Sequence, residues 1–276
     1  MHWVRRLYCA LVSLRRQIAT GPPAFLRTAA HPLRWQLLAA LADSDYRVRE
    51  LSARVDEPQN LVSYHLRLLR DAGLVTATRS SSDGRDSYYH LDLDRCAREL
   101  ADSGSALHPA LRHDPTGPAA PLHGHRGGPV AVLFVCTGNS SRSPIAEALL
   151  RHRTTGRVTA TSAGSRPKPD LHPNTIRVLR ESYGVDPSAQ RPRHVDTLDG
   201  RRFDRVITLC DRAREVCPDF PGHPRRAHWS VPDPATPGGT ADATYPAFQR
   251  VAAEIDTRIG HLLPVLTEPV HQKDPP

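Results

Sequence analysis

A cysteine and an arginine with five residues between them form the part of the sequence with the clearest chemistry. Residues 130–135 are all apolar, which is typical of a central parallel strand covered on both faces. Cys136 and Arg142 follow this run in the pattern C-x5-R-S. A loop of small residues can turn its backbone N–H groups towards an anion, and a guanidinium can clamp two oxygens of that anion. We expect Cys136 to be a thiolate nucleophile in this field.

The loop between these two residues is predicted to bind an oxyanion. A helix that begins near Ser143 would add the positive end of its dipole. A buried structural cysteine is the alternative, but Cys, Gly, Asn, Arg and Ser all lie where such a loop needs them. Phosphate and arsenate are near isosteres, so the loop alone does not choose between phosphoester hydrolysis and arsenate reduction. The predicted oxyanion-binding residues are Thr137, Gly138, Asn139, Ser140, Ser141 and Arg142.

Two more cysteines lie in the same half of the chain and favour redox chemistry. Cys210 and Cys217 are seven residues apart, which is two helical turns. Their Cα atoms would then be about 10 Å apart, whereas a disulfide needs about 4.4–6.8 Å. Bonding them therefore requires a helix between them to unwind. A hydrolase needs no such pair, but a two-electron reduction does; the alternative is two unrelated buried cysteines.

Residues 228–235 supply a carboxylate, Asp233, in a proline-rich segment. Such an acid can protonate the oxygen that leaves the anion. The alternative is an ordinary solvated aspartate before a proline. When the loop and the thiols are considered with it, Asp233 is the best candidate for the acid that protonates the leaving oxygen.

Strand and helix patterns alternate from residue 129 onwards, which predicts an α/β three-layer fold with a central parallel sheet. The strand ends at Cys136, Ser162 and Cys210 should share one carboxyl edge, the usual ligand crevice. The predicted strands are 130–135, 158–162 and 203–209, and the predicted helices are 144–153, 173–183 and 245–266.

Residues 24–100 have the pattern of an α+β winged helix-turn-helix. Helices are expected at 32–41, 48–55 and 61–72, and strands at 74–79 and 87–91 around an Asp-Gly turn. Leu61 is expected to face inward. The third helix has an outer face with the side chains that read a major groove, and the hairpin adds two arginines that can reach phosphates. The alternative is a winged helix that mediates only protein contacts. The predicted DNA contacts are Gln59, Asn60, Ser63, Tyr64, Arg67, Arg70, Arg79 and Arg85.

Length and composition fit two domains and a negatively charged partner. The chain has 276 residues and a formal net charge of +8. We expect an amphipathic helix over 1–20, a winged-helix domain over 21–102, a flexible linker over 103–128 and the second domain over 129–270. No segment is apolar enough to span a membrane, and five sparse cysteines fit a reducing cytoplasm better than a disulfide framework.

The N-terminal half resembles the ArsR/SmtB repressor family over about seventy residues, in HPLRWQLLAAL, VRELSARV, LVSYHLRLLRDAGLV and RSSSDGRDSYYHL. The resemblance implies a homodimer on a palindromic operator, released when a metal or metalloid binds. Arsenic sensors of the family often carry a cysteine pair in the helix that is 48–55 here, and this helix has none. Cys9 and Cys96 are the remaining thiols for trivalent arsenic, which prefers thiolates; the alternative is that both are incidental.

The C-terminal half closely resembles the thioredoxin-coupled arsenate reductases of the low-molecular-weight phosphatase fold. The stretches that carry it are VLFVCTGNSSRSPIAEALL, TSAG, HPNTIRVLRESYGVD, ITLCDRAREVCP, HWSVPDPA and FQRVAAEI. The resemblance implies that Cys136 attacks arsenate, that Cys210 attacks Cys136, and that Cys217 then forms a disulfide with Cys210.

The remaining roles in this resemblance belong to neighbouring side chains and to the reductant. Arg142 and the loop amides would hold arsenate, Asp233 would protonate the leaving oxygen, and Ser143 would hydrogen-bond the Cys136 thiolate. Thioredoxin would reduce the disulfide from outside, with mycothiol or glutaredoxin as alternatives, and no cofactor would be bound.

Two residues depart from the tyrosine phosphatases of this fold, and one departs from the reductases. Ser141 replaces a second loop cysteine and Ala235 replaces an aromatic residue of the phosphatases. Some reductases bind potassium near the loop, and Asn139, Glu147 and Ser162 match three of its ligands. Arg193 stands at the fourth, normally acidic, position. Our hypothesis is that its guanidinium replaces the ion and makes the enzyme insensitive to potassium.

These patterns together predict an arsenic-responsive repressor fused to an arsenate reductase. Two alternatives remain at this point. The second half could be a phosphatase fused to a regulator, or it could be a domain of a transcription factor that only senses the oxyanion.

Overall fold

The computed structural model describes residues 21–82, 84–108, 111, 130–222, 224–235 and 240–267. The helix predicted over 1–20 and most of the predicted linker lie outside these residues. The first half contains α1 (Ala24–Ala29), α2 (Pro32–Asp43), β1 (Tyr46–Arg47), α3 (Val48–Val55), α4 (Gln59–Asp71), β2 (Val75–Arg79), β3 (Ser87–Leu91) and α5 (Leu93–Leu107).

The core of the first half is formed where α2, α3 and α4 pack together. Leu37, Leu51 and Leu66 are completely buried at their contact, as the apolar spacing of the three helices predicts. Leu61 was predicted to face inward and is instead 37% exposed. The reason is that α4 begins at Gln59, directly after Pro58, so Val62 occupies the inward position. The winged helix-turn-helix fold is confirmed.

The wing consists of β2, β3 and the turn 80–86 between them. β3 lies at the centre of an antiparallel sheet in the order β1-β3-β2. Ser87 pairs with Arg79 where the hairpin opens into its turn. The two-residue strand β1 was not predicted, because so short a strand has no alternation pattern.

Helix α5 crosses the predicted boundary between the first domain and the linker. It continues to Leu107, so residues 103–107 are helical and the prediction of a flexible linker from 103 was wrong there. Asp92 begins the helix by accepting a hydrogen bond from the N–H of Arg95 at 2.8 Å. Ser103, the first residue of the predicted linker, is buried and donates its hydroxyl to the carbonyl of Glu99 at 2.7 Å.

The second half is an α/β layered domain with a parallel sheet, as predicted. Its elements are β4 (Ala131–Cys136), α6 (Arg142–Arg153), β5 (Thr159–Gly164), α7 (Pro173–Tyr183), a 3-10 turn (Val195–Leu198), β6 (Arg205–Thr208), α8 (Asp211–Val216), β7 (Arg225–His228) and α9 (Ala241–Thr267). The strands lie in the order β5-β4-β6-β7, with β4 and β6 in the centre. Helix α6 packs on β4 and β5 and contacts α7 and α9, while α8 contacts β4 and β6.

A buried aspartate joins the two halves. Asp45, at the start of β1, accepts hydrogen bonds from the Arg258 guanidinium at 3.0 Å and from the Ser230 N–H at 2.7 Å. Its own N–H donates to the carbonyl of His228 at 2.8 Å. Burial alone would raise the pKa of Asp45, but Arg258, His90 and Ser230 together lower it to about 2. The Asp45 carboxyl group is therefore ionised at neutral pH, and it joins the two halves as the partner of Arg258.

No helix of the described ranges combines the length and the apolar composition that crossing a bilayer requires.

Candidate active site and DNA-binding surface

The oxyanion loop, residues 137–141, joins the end of β4 to the start of α6. Four carbonyls of residues 136–140 accept hydrogen bonds from backbone N–H groups of residues 165–172, at 2.8–3.1 Å. The peptide plane holds the next N–H opposite to each carbonyl. The amides that follow these carbonyls therefore face away from the 165–172 segment and towards the Cys136 side of the loop. Amides that point to one side of a short loop have the geometry of an anion nest.

Gly164, at the end of β5, lets the loop lie directly on the sheet edge. A Cβ at this position would lie 2.6 Å from the carbonyl oxygen of Thr137 and 2.9 Å from the N atom of Asn139. Asn139 itself has a φ of 45°, in the left-handed region that asparagine tolerates better than most residues. Gly164 was not predicted as a site residue, although it ends the TSAG stretch. The close approach that requires a glycine is visible only in three dimensions.

The sulfur of Cys136 is buried among polar donors. Ser143 Oγ lies 3.0 Å from Cys136 Sγ, and the N–H of Asn139 donates to the same sulfur at 3.3 Å. Asn139 Nδ2 donates to Ser143 Oγ at 3.0 Å and so fixes the position of the hydroxyl. The Cys136 side chain, which is predicted to attack the anion, is thus oriented by Ser143, the residue predicted to hydrogen-bond its sulfur.

Arg142 connects the loop to the predicted acid. Its guanidinium donates to Asp233 Oδ2 at 2.8 Å and to the carbonyl of Val231 at 3.0 Å. Its buried Nε has no hydrogen-bond partner among the residues that the structure describes. An unsatisfied buried donor costs free energy, and an oxyanion in the nest would satisfy it. Asp233 is 53% exposed, so its carboxyl group can exchange protons with solvent.

Helix α8 separates the two remaining thiols as the sequence predicted. Cys210 precedes the helix and Cys217 follows it, and both are free. Cys210 is buried and its sulfur lies 3.2 Å from Thr137 Oγ1, a residue of the oxyanion loop. Burial raises the pKa of the Cys210 thiol, a shift that Arg142 opposes, and burial also raises the pKa of the Cys217 thiol.

The residues that match a potassium site form a closed hydrogen-bond chain. Asn139 Nδ2 donates to Ser162 Oγ at 2.9 Å, and Ser162 donates to Glu147 Oε2 at 2.6 Å. The cation beside Glu147 is Arg151, whose guanidinium lies 3.3 Å from Oε1. Arg193 reaches the chain through its backbone N–H, which donates to Asn139 Oδ1 at 2.8 Å. This contact is made by the backbone of Arg193, so the hypothesis that its guanidinium replaces a potassium ion stays a prediction.

The predicted DNA-binding side chains form an exposed surface in the first half. The six residues of α4 that were assigned to the major groove are all exposed, and so are the two wing arginines. The Arg67 guanidinium lies over the ring of Tyr64, 5.5 Å from its centroid. Arg79 donates to the carbonyl of Gly84 at 2.9 Å across the turn. No other element of the described chain covers the outer face of α4.

The predicted ligands for trivalent arsenic receive little support. Cys9 lies outside the described residues. Cys96 lies on α5 against the core of the first half, where burial, Asp92 and Glu99 raise the pKa of its thiol to about 11. A thiol must lose its proton to bind a metal. Within the described ranges there is no cluster of three or more His, Cys, Asp or Glu side chains that could hold a metal.

A buried cysteine at the end of a parallel strand, followed by a short loop and an arginine, is the arrangement of enzymes that form a thiol adduct with a tetrahedral oxyanion. The chain belongs to the low molecular weight phosphotyrosine protein phosphatase family, whose model matches residues 131–273. The model of the arsR family of bacterial regulatory proteins matches residues 31–77. The chain thus combines an ArsR-type helix-turn-helix domain with an arsenate reductase domain of the phosphatase family.

Named relatives cover the second half of the chain. The arsenate reductase of Shouchella clausii is 39% identical over 130 residues, which is 46% of this chain and 91% of the relative. The arsenate reductase of Bacillus subtilis is 37% identical over 128 residues, again 46% and 91%. The structure of a thioredoxin-dependent arsenate reductase from Corynebacterium glutamicum is 33% identical, covers 51% of this chain and 64% of that one, and superposes with a TM-score of 0.41.

Proposed function

We propose that this protein reduces arsenate to arsenite through Cys136, Cys210 and Cys217, and that its first half binds an operator. The observation that carries the reductase proposal is the position of Cys210. Its sulfur is hydrogen-bonded to Thr137 of the oxyanion loop, so a second thiol lies beside the nucleophile. A hydrolase of this fold would need water there instead.

In the first step the Cys136 thiolate attacks the arsenic atom of arsenate. An S–As bond forms and an As–O bond breaks, and Asp233 supplies the proton for the oxygen that leaves as water. The loop amides and Arg142 hold the remaining oxygens, since a planar fork matches a tetrahedral oxyanion. The Arg142 guanidinium donates to Asp233 Oδ2 at 2.8 Å, and this proximity supports Asp233 as the acid.

In the second step the Cys210 thiolate attacks the sulfur of Cys136. An S–S bond forms, the S–As bond breaks, and its electron pair stays on arsenic, which leaves as trivalent arsenite. In the third step the Cys217 thiolate attacks the sulfur of Cys210, so that a Cys210–Cys217 disulfide forms and Cys136 leaves as a thiolate. An external dithiol then supplies two electrons and two protons to the disulfide.

The external reductant is proposed to be thioredoxin, with mycothiol or glutaredoxin as alternatives. Cys217 is only partly buried in the reduced chain, and the disulfide would lie in a segment that has already unwound. A relay of free thiols needs a reducing compartment, which favours the cytoplasm.

The first half is proposed to bind double-stranded DNA as a homodimer. The outer face of α4 carries Gln59, Asn60 and Arg67, side chains that suit base edges and phosphates. Leu100 and Leu107 of α5 are 55% and 77% exposed and would be covered by a second copy. Sedimentation of the intact chain tests this: a dimer is expected, and Leu100→Glu should weaken it.

The decisive assay couples arsenate to NADPH through thioredoxin and thioredoxin reductase. We expect NADPH consumption that depends on arsenate and on the protein. Hydrolysis of p-nitrophenyl phosphate without arsenate turnover would identify a phosphatase instead. Release of an operator duplex by arsenate without any turnover would identify a sensor. Cys96→Ser is the matched control, because this thiol lies in the first half and should leave the rate unchanged.

A further inference from the structure

We propose that helix α8 is the docking site of the wing and that formation of the Cys210–Cys217 disulfide releases the wing. The DNA-binding half would then respond directly to the redox state of the reductase half. The inference rests on the relay of the proposed function, because it needs that disulfide. It adds a coupling between the two halves that neither family's activity requires.

The first docking contact is between the wing turn and the first residue of α8. The N–H and the hydroxyl of Ser81 both donate to Asp211 Oδ2, at 2.5 and 3.0 Å. The other oxygen of Asp211 accepts from Ser230 Oγ at 2.9 Å and lies 3.1 Å from His228 Nε2. Burial alone would raise the pKa of Asp211, but bonds from His228, Ser81 and Ser230 hold it well below its usual range. A buried carboxylate therefore binds the wing.

Two more side chains of the same helix contact the winged-helix domain. The Arg214 guanidinium forms an ion pair with Glu50 of α3 at 2.9 Å and lies over the ring of Tyr88 on β3, 5.4 Å from its centroid. Ser82 of the wing turn donates to Glu215 at 3.3 Å. All three side chains that α8 offers to the first half therefore lie between the two thiols.

Disulfide formation is incompatible with these contacts. Cys210 and Cys217 flank the whole of α8. Residues seven apart along a helix have Cα atoms about 10 Å apart, and a disulfide needs them within about 6.8 Å. The helix must therefore unwind, and Asp211, Arg214 and Glu215 cannot keep their present spacing. The wing loses the carboxylates and the guanidinium that hold it.

The two halves should stay joined when the wing is released. Asp45 and Arg258, which form the buried ion pair at the domain boundary, lie outside the segment between the thiols. His261 of α9 also lies 3.0 Å from Asp94 of α5. The expected change is local: the turn 80–86 and the adjoining strand ends become mobile around a fixed anchor.

The docked position of the wing affects which of its residues can contact DNA. In the docked state Ser81 and Ser82 lie against α8, so this part of the wing cannot also lie against a phosphate backbone. The outer face of α4 is exposed in the same state. Arg79 and Arg85 are exposed in the docked state as well, so the redox state of the thiols would change how firmly the wing is held beside α4 rather than uncover its arginines.

Hydrogen exchange of the intact chain tests the coupling. One sample is kept reduced, and a second is oxidised with diamide, which takes two electrons and two protons from a pair of thiols. Peptide mass spectrometry identifies the disulfide in each sample. We expect a peptide that covers the wing turn to exchange about ten-fold faster in the chain with a Cys210–Cys217 disulfide, the effect of losing a charge-assisted hydrogen bond. Peptides from α7 should not change.

Two variants serve as matched controls. Cys217→Ser treated with diamide can form only bonds that do not span α8, and its wing should stay protected. Ser81→Ala with Ser82→Ala removes the two hydroxyl contacts to α8 and should loosen the wing in the reduced chain. A Cys210–Cys217 disulfide with unchanged exchange of the wing would overturn the coupling and leave the relay intact. Failure of diamide and of arsenate to form that disulfide would overturn both.

Discussion

The oxyanion loop and helix α8 lie next to the thiols of the proposed relay but are built in opposite ways. The loop is fixed by hydrogen bonds: its carbonyls are bonded to residues 165–172, and Cys136 Sγ has two polar neighbours within 3.3 Å. Helix α8 has six residues, and it separates two thiols that the proposed relay brings together. Three of its side chains are engaged with the winged-helix domain.

The difference follows from what each region has to do. Stabilising a developing charge requires donors that are already in place, because reorientation during the reaction would cost free energy. Carrying electrons from one thiol to the next requires the sulfurs to come into contact in sequence. A short helix can supply that movement, since a helix of this length is only marginally stable by itself. The contacts to the first half stabilise its reduced form.

The largest effect is expected from removal of the rigid region's nucleophile. Cys136→Ser should lower arsenate turnover by at least about 10⁴-fold, because no other thiol lies in the nest. The coupled NADPH assay measures it. Measurable turnover in this variant would show that the loop is not where reduction begins.

Removal of the last thiol tests the mobile region. Cys217→Ser should release one arsenite per chain and then stop, because the Cys136–Cys210 disulfide cannot be passed on. Rapid quenching and arsenite quantification measure the burst. Cys96→Ser should behave as the unmodified chain. Sustained turnover of Cys217→Ser with thioredoxin would contradict a relay through three thiols.

Removal of the acid, Asp233, is expected to lower the rate of arsenate turnover less than removal of the nucleophile, Cys136. Asp233→Asn should lower kcat by about 10²-fold, the usual contribution of a positioned general acid. The matched control is Asp219→Asn, which removes an almost fully exposed carboxylate paired with Arg226. Equal kcat values for the two variants would show that Asp233 does not protonate the leaving oxygen in the first step.

The pH dependence separates the two regions. Burial raises the pKa of Cys210, so this thiol is protonated at neutral pH and its thiolate fraction grows as the pH rises. In Cys217→Ser the rate of the single arsenite burst should therefore increase by up to about ten-fold per pH unit between pH 7 and pH 8.5. Stopped-flow or quench experiments at constant ionic strength measure it. A burst rate that is flat over this range would place the slow step at the preorganised loop instead.

The smallest effect on activity is expected from changing the salt around the hydrogen-bond chain that supports the oxyanion loop. Exchanging sodium for potassium at equal ionic strength should change kcat/KM by less than about two-fold, because Glu147 is neutralised by Arg151 and bonded to Ser162. Steady-state kinetics in the two salts measure it. Strong activation by potassium would mean that the hydrogen-bond chain opens to admit an ion.

Sequence patterns predicted the elements whose ends carry local signals. Helix α7 was predicted with its bounds because Pro173 begins it and Gly184 ends it with a φ of 66°. The oxyanion loop was predicted because its chemistry restricts five neighbouring residue types. Strand β7 was missed because Arg225–His228 contains no apolar run.

The contacts between the halves could not be predicted in the same way. Ser81 and Asp211 are 130 residues apart and are joined by single polar atoms, which leave no periodic pattern. Asp45 lies in no pattern that the sequence offers, yet it is buried against Arg258. Such contacts depend on how two folded domains pack against each other. The local sequence pattern around each residue therefore does not predict them.

The contrast between a fixed loop and a moving thiol pair is tested most directly by one turnover without reductant. The reduced chain receives one equivalent of arsenate, is quenched with acid and alkylated, and its disulfide is mapped by peptide mass spectrometry. We expect the bond to lie between Cys210 and Cys217, with Cys136 alkylated and one arsenite released per chain. A chain with all three thiols alkylated, or with a stable bond between Cys136 and Cys210, would contradict this account.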